Sequence, residues 1–129
     1  MNNKEEYNQF SKGLSRFRGL DNRRIREILD ERGNSLKKVE ILACIIAHGG
    51  GELESEDFSS GSTVTNPGLK HACIINGVTF PENATKKMLL KALLKHSNRP
   101  YIEGDVIKKG STVESVALLR VYHGLLDNN

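Results

Sequence analysis

Apolar residues along this chain recur mostly at helical spacing, and five segments follow that pattern. In the first, roughly Lys4 to Phe17, Tyr7, Phe10, Leu14 and Phe17 fall on one face, interrupted by Gly13; residues 1–19 read as a helix or an N-terminal arm. Asp21 can cap a second helix to about Arg32, with Ile25, Ile28 and Leu29 on its apolar face and Gly33 as its stop. Ser35 caps a third, Leu36 to His48, closed by Gly49. The second half of that helix, Ile41 to Ala47, is apolar on every side, which places it in the middle of a core. Asn83 caps a fourth, about Ala84 to His96, whose buried stripe is Met88, Leu89, Ala92 and Leu93. Ser111 and Glu114 form a capping box for the last helix, which ends near His123 before Gly124. Val113, Val116, Ala117, Leu118, Leu119, Val121 and Tyr122 make it apolar nearly all round, so it is either central or half of a dimer interface.

Between these segments the pattern changes. His71-Ala72-Cys73-Ile74-Ile75 and Val78-Thr79-Phe80 flank Asn76-Gly77, a pair suited to a two-residue type I′ turn, because both positions need positive φ. A β-hairpin is predicted there, with Cys73, Ile75, Val78 and Phe80 on the face that packs on the helices. Residues 49–63, rich in Gly, Ser and acid, read as an exposed, mobile acidic loop. Arg99 to Lys109, with Pro100 and Gly104 as breakers, reads as irregular or a short strand. The expected fold is mainly α: one compact domain spanning residues 1–129, with about five helices and one short β-hairpin around Asn76-Gly77.

Composition sharpens this only at the core. Apolar residues make up 37% and charged residues 27%, a globular balance, and with no Trp the core must rest on Ile, Leu and Val. Cys44 and Cys73 lie in apolar runs and read as small buried hydrophobes, with no disulfide framework. Met1 to Glu6 is polar and lacks the apolar stretch of a signal peptide, and the longest apolar run, Ile41 to Ala47, is too short to span a bilayer. These features lead to the expectation of a reducing, cytoplasmic setting.

Charge changes the picture more. The net value is only +3, but the signs are segregated. Six bases stand against one acid from Lys12 to Arg26, four acids against no base from Gly49 to Thr63, and six bases against one acid from Lys70 to Arg99. Such asymmetry speaks about partners. In the first basic block Arg16, Arg18, Arg23, Arg24 and Arg26 supply planar forks suited to phosphate, and Phe17 among them could stack on a base; a solvated helix face paired with Glu27, Asp30 and Glu31 is the plainer reading. In the second, Lys87, Lys91 and Lys95 share one helix face at steps of about 6 Å, with Lys86 and Arg99 nearby; the plainer reading is the outer face of an amphipathic helix.

Other chemistry is thin. Asp21 to His48 has the outline of a helix-turn-helix, but its second helix offers only Lys37, Lys38 and Glu40 to base edges before it turns wholly apolar. His48-Gly49 followed by Cys73 resembles, over those few residues, the His-Gly and Cys order of caspase-like proteases, without the alternating strands and helices such a sheet needs. Ser35-Leu36-Lys37-Lys38 is better explained as a helix cap than as a Ser-x-x-Lys nucleophile. His71 and Cys73 lack a second ligand pair of zinc-like spacing. Gly49-Gly50-Gly51 lacks the Lys-Ser/Thr of a phosphate loop, and Glu52, Glu54, Glu56 and Asp57 lack EF-hand spacing. No catalytic set, metal or cofactor is therefore expected.

The functional expectation is a small nucleic-acid-binding protein, of the kind a viral or phage nucleoprotein or regulator would be. It would hold RNA or DNA by the backbone through Arg16, Arg18, Arg23, Arg24, Arg26, Lys87, Lys91 and Lys95. The alternative is an assembly module that dimerises through the apolar C-terminal helix. No membrane and no small-molecule substrate enter either reading.

Overall fold

A computed structural model describes residues 37–59 and 63–127 of the chain. The helices expected within residues 1–36, the cap at Ser35 and the five arginines from Arg16 to Arg26 lie outside the described residues. Among the described residues there are four α-helices, α1 (Lys38–His48), α2 (Asn66–Ile75), α3 (Lys86–His96) and α4 (Ser115–Asp127). A 3₁₀ turn (Ser55–Asp57) and two short antiparallel strand pairs, β1 (Phe58–Ser59) with β2 (Thr63–Val64) and β3 (Val106–Ile107) with β4 (Thr112–Val113), complete them.

The helices form a ring of neighbours: α1 packs on α4 and α2, and α3 packs on α2 and α4. The apolar α1 sits inside, as its sequence demands, with Val39 and Ile41 to Ile46 all buried. Leu69, Leu89, Leu90, Leu93 and Leu118 meet it in one core, joined by Phe58, and each such side chain contributes about 1.5–3 kcal/mol by leaving water. The strand pairs meet through β2 and β4.

The first three helices close in the same way. In α1 the Gly50 and Gly51 N–H groups return to the carbonyls of Ala47 and Ile46; in α2 those of Gly77 and Val78 return to Ile74 and Cys73; in α3 those of Asn98 and Arg99 return to Lys95 and Leu94. This is the Schellman closure, which needs a residue of positive φ just past the helix, here Gly50 (+90°), Gly77 (+73°) and Asn98 (+57°).

That closure corrects the hairpin expected around Asn76-Gly77. Residues 66–75 are helical: the Thr65 hydroxyl accepts from the Gly68 N–H, Pro67 occupies the first turn, and Leu69, Ala72 and Cys73 are buried at helical spacing. Asn76 ends the helix, and its side-chain amide donates to the carbonyls of Ile45 in α1 (3.0 Å) and Ala72 (2.9 Å). Gly77 of the pair thus supplies positive φ to a helix end, while Asn76 keeps φ of −97°.

A hairpin turn of positive φ occurs elsewhere. Ile107 pairs with Thr112 across a four-residue loop, in which the Gly110 N–H donates to the Ile107 carbonyl, the Ser111 N–H donates to the Lys108 carbonyl, and Lys108, Lys109 and Gly110 have φ of +54°, +56° and +88°. A lysine in this left-handed region costs about 1–2 kcal/mol relative to a right-handed conformation.

Other expectations move by smaller amounts. Thr85, not Asn83, caps α3, through a bond from the Met88 N–H; the buried stripe is Leu89, Leu90, Leu93 and Leu94, and Met88 is exposed. Ser111 belongs to the β3–β4 turn, Val113 lies in β4, and α4 runs through Gly124 to Asp127. Gly124 serves the close packing of α4 on the end of α3, where a Cβ would stand 2.3 Å from the Ser97 carbonyl oxygen. The segment expected as an exposed loop after Gly49 buries Leu53, Asp57 and Phe58. No described helix is long and apolar enough to cross a membrane.

Candidate nucleic-acid interface

α3 divides cleanly into two faces. Its leucines enter the core, and Lys87, Lys91 and Lys95 are all exposed. The ammonium groups of Lys87 and Lys91 lie over the ring of Tyr101, 5.5 and 4.8 Å from its centre. The ring is itself packed against the core, so its negative face gathers two cations at a fixed place. Lys95 stands one turn further on.

The lysines are not neutralised. Among the described residues the ion pairs are His71 with Asp57, Arg99 with Asp127, and Arg120 with Asp105; none involves Lys87, Lys91, Lys95, Lys108 or Lys109. Both described arginines are thus committed to the fold. Arg120 grips Asp105 with two nitrogens, at 2.7 and 3.3 Å, and also donates to the Pro100 carbonyl. Arg99, expected beside the lysine stripe, instead bonds Asp127 at the end of α4.

At the start of α3 the cations crowd. Lys86 donates to the Ser111 carbonyl at 2.9 Å. Its ammonium is held below its usual range by burial and by the neighbouring charge of Lys38. No acid occupies the first turn of α3. Lysines at a helix N-terminus oppose the macrodipole, so a bound anion would relieve both the dipole and the crowding.

Residues with catalytic potential are placed differently. Cys73 is fully buried on α2, its thiol 3.9 Å from the Leu89 carbonyl, and burial pushes it up to about 12. His48 lies edge-on to Tyr122 with ring centres 6.4 Å apart, and its Nδ1 is 3.5 Å from the Asn76 Oδ1. His71 lies on α2, where its Nδ1 is 2.8 Å from Oδ2 of the buried Asp57, an oxygen that also accepts from the Glu54 N–H. This pair ties the segment before β1 to α2. Among the described residues no group of three His, Cys, Asp or Glu is placed to hold a metal ion.

The lysines of α3 were legible as a stripe. Tyr101 was missed, because nothing in the sequence says that the irregular segment after α3 folds back along it. Lys108 and Lys109 were missed because Ser111, beside Gly110, reads as the cap of the last helix rather than as part of their turn. Comparison of the chain with protein-family models, with curated proteins and with solved structures finds no match.

Proposed function

We propose that this protein binds nucleic acid by its phosphate backbone, with the lysine face of α3 as a contact surface. The observation that carries the reading is the exposed row Lys87, Lys91 and Lys95, free of described carboxylate partners, with two of its ammonium groups gathered over Tyr101. Unpaired, pre-positioned ammonium groups attract phosphate and release its counterions. The reading assigns the contacts to the backbone, because the exposed row of α3 is lysine, a point charge suited to phosphate. Arg16, Arg18, Arg23, Arg24 and Arg26 form the second block of this proposed surface.

The test is binding of fluorescent single- and double-stranded RNA and DNA across a salt series. The variant carries Lys87→Glu, Lys91→Glu and Lys95→Glu. Wild type should bind with a steep salt dependence, and the variant should bind about 100-fold more weakly or worse at 0.1 M salt. Lys87→Glu in the first turn suits the helix dipole and Lys95→Glu in the last turn opposes it, so the two effects largely offset, and circular dichroism should show the variant folded. Absence of wild-type binding to all four ligands at low salt would overturn the reading.

A further inference from the structure

We infer that the β3–β4 hairpin tip, Lys108-Lys109, is a second phosphate contact that continues the lysine face of α3; this rests on the nucleic-acid reading above. Three observations converge on it. The tip is a four-residue loop, 108–111, in which Lys108, Lys109 and Gly110 all have positive φ, so lysine holds two left-handed positions where Asn or Gly would sit with less strain. Both lysines are exposed and, among the described residues, neither has an ion-pair partner. The tip is also fastened to the first turn of α3: the Ser111 hydroxyl donates to the Lys108 carbonyl (2.7 Å), and Lys86 donates to the Ser111 carbonyl (2.9 Å).

Together these set the backbone of the Lys108-Lys109 turn beside Lys86, at the end of α3 where Lys87 begins the exposed row. Folding alone gives no reason to spend lysines on a turn that disfavours them. A backbone outlier kept at an exposed basic tip is explained if the tip meets an anion. The ligand class is a chain of phosphates long enough to touch both the tip and the helix face. A lone phosphate would reach only one of them.

The turn supplies its own test. Replacing Lys108→Asn together with Lys109→Gly removes two charges and relaxes the backbone, so the variant should melt at a higher Tm while binding more weakly. Loss of two phosphate contacts should lower the log–log salt slope by about 1.4–1.8 and weaken binding about 25- to 60-fold at 0.1 M salt. Lys108→Arg with Lys109→Arg keeps the charge and should keep the slope. If Lys108→Asn/Lys109→Gly binds like wild type with the same slope, while the α3 triple variant loses binding, the inference falls and the nucleic-acid reading stands. If wild type itself shows no salt-dependent binding, both fall. A lower Tm for the Asn-Gly variant would overturn the turn geometry on which the inference depends.

Discussion

Gly68, in the first turn of α2, lies so close to Asp57 that a Cβ built on it would stand 2.2 Å from the Asp57 carbonyl oxygen and 2.9 Å from its carbon. The obstruction is backbone and cannot swing away. The same Asp57 backbone accepts from the Thr65 N–H, and its side chain holds His71, so the contact anchors α2 from two sides.

Gly68→Ala should therefore destabilise the protein by about 2 kcal/mol or more, as overpacking does. Helix propensity alone predicts the opposite, a gain of about 1 kcal/mol. Urea denaturation reads the sign directly, and a stabilised variant would refute the close approach.

Asp105 should make the fold acid-sensitive. Burial raises its pKa, but the hydrogen bond from Arg120, the Ile102 N–H and the Arg120 charge outweigh this and hold it below the ordinary 3.8. A carboxyl depressed on folding stabilises fully above its unfolded value and loses that contribution as pH falls through the folded one. Asp105→Asn should cost about 1.5–3 kcal/mol near neutrality. The gap between wild type and variant should narrow below about pH 4, and a gap constant down to pH 2 would count against the pairing.

Cys73 should be inert in the native state. Its thiol is buried, and at about 12 the reactive thiolate is scarce at neutral pH. Cys44 is buried as well. A thiol reagent should label neither cysteine until denaturant is added, then both. Rapid native labelling of Cys73 would reopen a catalytic role for it.

Asn76→Ala should loosen the junction of α1 and α2. It removes both amide bonds, leaving the Ile45 carbonyl without its side-chain donor. A loss of about 1.5–3 kcal/mol is expected, against near neutrality for Asn83→Ala, because Asn83 is exposed and outside the cap of α3. Equal effects would restore Asn83 as the cap.

What could be read from the sequence follows from how many residues carry each signal. α1 was legible because seven buried positions repeat one message. The Asn76-Gly77 pair was misread because positive φ serves a helix end as well as a hairpin. What decides between them lies upstream, in the Thr65 cap, Pro67 and the spacing of Leu69, Ala72 and Cys73, against which local alternation is a weak guide. Ile74 shows the outcome, being 66% exposed on the outer side of α2. Conversely, the hairpin at Lys108-Lys109 has Gly110 and Ser111 as its turn residues, but Ser111 reads equally well as a helix cap, and contacts such as that of Lys86 hold the loop. For the interface, one face of α3 was readable from four-residue spacing. Its aromatic partner and the hairpin tip are long-range facts.

Both ends of α3 are pinned, by the Thr85 cap and by the closure at Asn98, so the helix cannot fray or slip and its lysines keep a fixed phase. Each step of four residues advances about 6 Å and turns about 40° around the axis. Lys87, Lys91 and Lys95 therefore trace a short arc rather than a straight rail, and Tyr101 gathers the first two. A straight, stiff polyanion would touch only part of that arc, whereas a chain able to curve could follow its whole length.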